Sequence, residues 1–443
     1  MKKITKVTPK NVHKILGKYI LADGYPFVVD LKKSKGSYLV DAKTGKKYLD
    51  FFTFFASFPI GFNHPKLMTK SFRERIADVA INKTSNSDLY TVEMAEFIET
   101  FAKIAAPKEF KKFFLISGGA LAVENALKAS FDWKIRLNKS RGVKGEVGTK
   151  IIHFKESFHG RTGYTLSLTN TADPRKYLYF PKFKWPRITT PKITFPLNKK
   201  NLKTVKQLEA KALKEINESI KKYGKDIAAL LIEPIQGEGG DNHFRPEFFK
   251  QLRKITENND IIFILDEIQT GMGLTGKWWA YQHMGFTPDI ICFGKKSQIC
   301  GIMVTNKLLK VEHNVFVESS RLNSTWGGNL VDMFRATKYL QIIESEKLVK
   351  NAETIGKLLM TLLKGIQNDF PEKVSNVRGK GLMIAFDCIN KKKRNRLLEI
   401  IKSNLMIALP AGIKSIRFRP PLNLSKKDAI KGMKIIKKSL KAL

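Results

Sequence analysis

The chain has 443 residues, with 80 Lys+Arg against 40 Asp+Glu, a formal net charge of +40, and 43% hydrophobic residues. At roughly 100–200 residues per domain this length allows several domains, and the apolar content excludes a disordered chain in spite of the charge. Only three cysteines, Cys292, Cys300 and Cys388, are present; they exclude a disulfide framework and point to a reducing compartment, read here as the cytoplasm.

In chain order, the opening MKKITKVTPKNVHKILGKY is basic and lacks the apolar stretch of a secretory signal. The most apolar segment, FFTFFASFPIGF from Phe51 to Phe62, is too short to span a bilayer and carries Pro59. Short apolar, β-rich runs come next at 111–119, 149–160, 226–234, 261–267 and 289–295. Amphipathic helical stretches separate them, among them ALAVENALKASFDWKIRLN, with Leu121, Glu124, Ala126, Leu127 and Phe131 near helical spacing. Near-continuous apolar strands alternating with helices predict an α/β fold, its mostly parallel sheet covered on both faces. The last hundred residues read helix, strand, strand, helix, a smaller α+β unit whose strand SIRFRPPLNLS meets a double proline, as at an edge or a strand end.

The charge is mostly lysine, 64 Lys against 16 Arg, which is poor in the residue that nucleic-acid readers favour. Residues 1–50 hold 12 Lys and 4 acids, whereas residues 251–300 hold 5 basic and 5 acidic residues. A solvated lysine-rich surface toward the chain ends explains this better than a specific polyanion site. No histidine or cysteine spacing suits a metal, so none is expected.

In sheets of this kind the ligand lies beyond the C-terminal strand ends, so the residues there carry the functional signal. KFFLI ends in Ser117-Gly118-Gly119-Ala120 and then a helix, whose exposed amides suit an anion. IIFIL ends in Asp266, and DIICFG ends in Lys295-Lys296. A buried carboxylate needs a cationic partner, and a desolvated lysine can become a nucleophile. Each alone is more often a cap or a surface charge. Together they ask for one cofactor with an electrophilic carbonyl, a basic ring nitrogen and a phosphate, and pyridoxal 5′-phosphate has all three.

The blocks SFHGRTGYTLSLT, LLIEPIQGEGG, LDEIQTGMGLTGKWWA, PDIICFGKK, STWGGN and SIRFRPPL then carry a resemblance over almost the whole chain. The sequence resembles the class III aminotransferases of the type I pyridoxal-phosphate fold. The resemblance implies Lys295, six residues after Asp289, as the lysine that bonds the cofactor, and Asp266 as the partner of the pyridine nitrogen. It implies Gln269 at the ring's 3-oxygen, Ile268 and Phe158 on the two ring faces, and His159 in the turn beside them. Gly119 and Ala120 would bind the phosphate, and Thr325 would reach it from the other subunit of a homodimer. Arg161 would hold the substrate carboxylate remote from the reacting carbon and Arg417 the α-carboxylate of glutamate. Glu238 would mask Arg417 while lysine is bound.

Two departures from the general pattern, the turn SGGALAVENALKA and Leu274 in place of an arginine, resemble the L-lysine 6-aminotransferase branch. That branch implies transfer of the ε-amino group of L-lysine to 2-oxoglutarate, giving 2-aminoadipate 6-semialdehyde, which cyclises, and L-glutamate. Ornithine or 4-aminobutyrate as donor, a fold-related racemase or aminomutase, and a polyanion-binding role are the alternatives. The expected organisation is an N-terminal segment (1–75) contributing to the small domain, a large cofactor domain (76–335) and a C-terminal small domain (336–443).

Overall fold

The computed structural model describes residues 6–443. Two short strands, β1 (Tyr38–Val40) and β2 (Lys47–Asp50), form an antiparallel pair near the start. The middle of the chain supplies β3 (Phe110–Ile116), β4 (Lys150–Phe154), β5 (Arg187–Ile188), β6 (Ile227–Ile232), β7 (Ile262–Asp266), β8 (Ile290–Phe293) and β9 (Cys300–Thr305). The C-terminal part adds β10 (Ser375–Lys380), β11 (Met383–Asp387), β12 (Met406–Ile407), β13 (Leu409–Ala411) and β14 (Ser415–Phe418).

The middle strands make one seven-stranded sheet in the order β3-β9-β8-β7-β6-β4-β5. From β8 to β5 every pairing is parallel. Only β9 is reversed, lying antiparallel to both β8 and β3. The cause is the short link from β8: a parallel return needs a crossover of roughly a dozen residues, and none separates Phe293 from Cys300. The predicted cover on both faces is present. Along β7, Ile262 and Ile264 join Val123, Ala126 and Leu127 of the helix Gly119–Ser140. Phe263 and Leu265 point the other way, into a cluster with Phe248 and Leu252 of the helix Pro246–Asn258. Every residue of β6, β7 and β8 is buried, which is why these strands read as unbroken apolar runs.

The sequence stripe on the helix Gly119–Ser140 holds at Ala126, Leu127 and Phe131 but not at its start. Leu121 is exposed, and the buried face starts at Ala122 and Val123, because the sheet rather than the largest apolar residue sets which side faces in. The C-terminal sheet runs β10-β11-β14-β13, all antiparallel, so β14 is internal. Its double proline therefore marks a strand end and not an edge. β12 leaves this part of the chain to pair with β2. Leu274, where an arginine was the general expectation, is fully buried in the core of this unit, and its carbonyl accepts from Leu382 N at 2.9 Å.

The last helix, Lys426–Lys441, shows how the lysines are carried. Ala429, Met433, Ile436 and Leu440 face inward, while Lys427, Lys431, Lys434 and Lys438 are exposed. Gly432 lets that helix approach closely, since a Cβ there would stand 2.7 Å from Phe51 Cζ. Among the described residues no helix is long and apolar enough to cross a membrane, no group of metal-ligating side chains converges, and the three cysteines are free.

Candidate active site

β3, β4, β6, β7 and β8 all point the same way, and the residues at and just beyond their C-terminal ends converge on one cavity of about 590 Å³. Gly119 and Ala120, Phe158, His159 and Arg161, Glu233 and Glu238, Asp266, Ile268, Gln269 and Lys295 all line it. Ten of the twelve site residues read from the sequence are thus in its wall, and Arg417 stands directly behind Glu238, bonded to it. Thr325 is the exception. It is exposed, and its carbonyl accepts from Ser85 Oγ at 2.5 Å and Ser87 Oγ at 3.1 Å, away from this cavity.

Asp266 closes β7 and is only 5% exposed. Its Oδ1 accepts from Ile268 N at 3.1 Å, and its Oδ2 lies 2.8 Å from His159 Nδ1. His159 therefore does more than shape its turn: its ring fixes the direction of the carboxylate. Nearby, Glu233 accepts from Phe158 N at 3.0 Å and Gly237 N at 2.9 Å. Burial, with Asp266 close by and His159 opposing, pushes the Glu233 carboxyl up to about 7.

The two lysines at the tip of β8 have opposite surroundings. Lys295, in a left-handed conformation with φ 53°, faces the cavity. Lys296 is 2% exposed, does not line the cavity, and donates to Ala56 O at 3.1 Å, behind the wall residues Phe54, Ser57 and Phe58. Burial in the enclosed site, with Arg417 and Arg419 nearby, lowers the Lys295 ammonium to about 8, against 10.5 for an ordinary lysine. Below that pH the group is protonated and inert; above it the free amine is available. In cofactor-free protein, reductive methylation of Lys295, monitored by peptide mapping, should rise through about pH 8. A rate that climbs only near pH 10 or above, as for a solvated lysine, would contradict this.

Glu238 forms the other wall, backed by Arg417 of β14 and by Arg419 just beyond that strand. Arg417 Nη2 donates to Glu238 Oε2 at 2.7 Å, and Lys176 Nζ donates to Glu238 Oε1. Burial alone would raise the Glu238 carboxyl, but Arg417 and Lys176 outweigh it and hold it below the ordinary range. Arg419, fully buried, pairs with Asp241 at 2.6 Å and 2.9 Å and also donates to Gln269 Oε1 at 2.8 Å. With Arg417 Nη1 at 3.4 Å on the same oxygen, the Gln269 carbonyl is taken and its amide NH₂ is left for the cavity. Gly237 makes room for this arrangement, since a Cβ there would stand 2.4 Å from Gln269 Oε1.

Sequence reasoning missed Arg419, Lys176, Glu233 and the wall residues Phe54, Ser57 and Phe58. Arg419 had a signal: it lies two residues from Arg417 in an extended segment, so both point to one side. Lys176 had none, being in the short 3₁₀ helix Pro174–Lys176, remote in sequence from Glu238.

These groups suit pyridoxal 5′-phosphate. A buried carboxylate braced by the His159 ring faces the cavity and would pair with a protonated pyridine nitrogen. The helix Gly119–Ser140 opens on the cavity with Gly118 at φ 105° and no acid in its first turn, so its amides are free for a phosphate. The side chains of Phe158 and Ile268 supply apolar surfaces, and Lys295 supplies the amine.

The family model "Aminotransferase class-III" matches residues 20–440. The chain belongs to the class III aminotransferases. It is 48% identical over 419 residues to the L-lysine-epsilon aminotransferase of Mycobacterium tuberculosis, covering 94% of this chain and 92% of that one. It is 44% identical over 435 residues to the L-lysine-epsilon aminotransferase of Amycolatopsis lactamdurans, covering 97% and 96%. The solved structure of lysine aminotransferase from M. tuberculosis superposes with a TM-score of 0.96 at 47% identity, covering 98% of this chain and all of that one. As a class III aminotransferase the protein has the type I fold and uses pyridoxal 5′-phosphate.

Proposed function

We propose that this aminotransferase moves the ε-amino group of L-lysine to 2-oxoglutarate, yielding 2-aminoadipate 6-semialdehyde and L-glutamate. The observation that carries the reading is the Glu238–Arg417 pair at 2.7 Å in the wall of the catalytic cavity, together with near-half identity to proteins named for this activity. Pyridoxal phosphate, when bound, supplies an electron sink for the carbon that carries the amine. Lys295 would hold the cofactor and, once free, would move the proton at the reacting carbon, first as base and then as acid. Asp266, oriented by His159, keeps the pyridine nitrogen protonated. Gln269 would donate to the ring's 3-oxygen, Phe158 and Ile268 would flank the ring, and Gly119 and Ala120 would offer amides to the phosphate.

Two substrates of different shape must use one cavity. Arg161, exposed on its rim, binds the carboxylate remote from the reacting carbon. Arg417 binds the α-carboxylate of glutamate or the keto acid. While lysine presents its ε-amine, Glu238 covers Arg417, which would otherwise attract the wrong end of the substrate. A bare arginine there would also be costly. Glu238→Ala should accordingly lose the preference for the ε over the α position by about tenfold or more; isotope analysis of the product showing unchanged regiochemistry would defeat this role.

Support for a homodimer comes from Thr325, which is exposed and does not line its own chain's cavity; in this reading it serves the partner's phosphate. The reading also divides the chain at 1–75, 76–335 and 336–443, a division supported by the pairing of β2 with β12, and places the enzyme in the cytoplasm, consistent with its free cysteines. A donor screen with 2-oxoglutarate tests the substrate. Lysine should give a cyclised product that reacts with o-aminobenzaldehyde; ornithine or 4-aminobutyrate as the preferred donor, or activity without a keto acid, would replace the reading.

A further inference from the structure

Glu238 stands between two cavities. One is the catalytic cavity; the other, about 560 Å³, lies between the Thr171–Lys176 segment, the start of the helix Lys391–Ser403, and Pro410–Ile413. On the catalytic side Glu238 is bonded to Arg417, and on the outer side to Lys176. Its backbone is fixed, since its carbonyl accepts from Gly412 N at 2.9 Å, so any movement belongs to the side chain.

The outer cavity is rich in cations: Arg175, Lys176, Lys391 and Arg394 line it, with Asp173 and Glu238 as the acids. Asp173 is occupied by Arg175, at 2.8 Å and 2.9 Å. Arg394 has no such partner. It is 6% exposed, its Nε donates to the amide oxygen of neighbouring Asn395 at 2.7 Å, and its Nη1 has no hydrogen-bond partner among the described residues. A buried guanidinium with an unmet donor is costly, and a carboxylate would relieve it. Glu238 and Arg394 line this same cavity.

We propose that Arg394 is the second seat of Glu238: when a substrate α-carboxylate takes Arg417, the Glu238 side chain turns into the outer cavity and pairs with Arg394. This rests on the reading of Glu238 as the removable cover of Arg417. Lys176 serves as the pivot, bonded to the carboxylate in the covered state and lining the cavity it enters. Without a second arginine, uncovering Arg417 would strand a carboxylate with a single partner and bias the site toward the covered state. With Arg394 one charge-assisted bond replaces another, and a modest difference in substrate affinity suffices to shift the balance.

Single-turnover half-reactions of the holoenzyme separate the two states. Arg394→Gln keeps length and polarity but removes the charge. It should slow the half-reaction with glutamate about tenfold and raise the KM for 2-oxoglutarate to match, with the lysine half-reaction changed less than about twofold. Arg394→Lys should recover most of the loss. In a Glu238→Gln background, which has no charge to seat, Arg394→Gln should add nothing. Equal losses in both half-reactions would make Arg394 merely structural and overturn the proposal. A loss that persists in the Glu238→Gln background would also overturn it, and would assign the outer cavity to the incoming dicarboxylate instead. If Glu238→Gln alone leaves the ε-over-α preference unchanged, the covering role of Glu238 falls too, an outcome distinct from failure at Arg394.

Discussion

Lys295→Ala should lose turnover by about 10³-fold or more, because in the proposed reading one side chain both holds the cofactor and moves the proton. Its neighbour does not substitute. Lys296 is buried outside the cavity lining, with its amine held on Ala56 O behind the wall, and reaching the cavity would require breaking that bond. Borohydride reduction and mass analysis of the peptides check the claim directly. The wild-type chain should retain the cofactor mass on the peptide containing Lys295, and the variant should retain none. Cofactor mass found on Lys296 in the wild type would reverse the assignment of the two lysines.

Asp266→Asn should lower kcat by about 10²–10³-fold with little change in melting temperature, since the replacement has the same shape and loses only charge. The carboxylate already has His159 and Ile268 N as partners, so its remaining acceptor capacity is directed into the cavity. An asparagine amide would present a donor where a proton must be held, and the pyridine nitrogen would lose the anion that keeps it charged. Steady-state rates normalised to cofactor content test this. A variant with near-normal kcat would show that charge at this position is dispensable.

The parts of the fold visible in the sequence are those where one force dominates. β6, β7 and β8 are buried on both faces, so their composition alone marks them, and the residues at their ends stand out because polar groups succeed a wholly apolar run. Asp266 and the pair Lys295-Lys296 were legible for that reason; the choice of Lys295 between the two came only from the family resemblance. The reversed strand β9 was not, because its direction depends on the length of a link and not on its own residues.

Least visible was the segment Thr53–Ala56, which forms a left-handed turn with φ from 38° to 70° in four consecutive non-glycine residues. Such backbone costs roughly 1–2 kcal/mol per residue and needs outside support. Asp50 Oδ1 accepts from Phe52 N and Thr53 N, each at 2.8 Å. Thr53 Oγ1 donates to Arg419 O at 2.6 Å, and Lys296 fastens Ala56. An apolar run gives no hint of this, yet it is what places Phe54 and Phe58 in the cavity wall. The strong positive charge proved equally uninformative about the site, being carried on exposed helix faces such as that of Lys426–Lys441.

The most direct test of the central claim tracks nitrogen. L-Lysine labelled with ¹⁵N at Nε, incubated with the holoenzyme and 2-oxoglutarate, should yield ¹⁵N-glutamate, while lysine labelled only at the α-nitrogen should yield unlabelled glutamate. Label arriving from the α position, or no glutamate formed from lysine at all, would contradict the account.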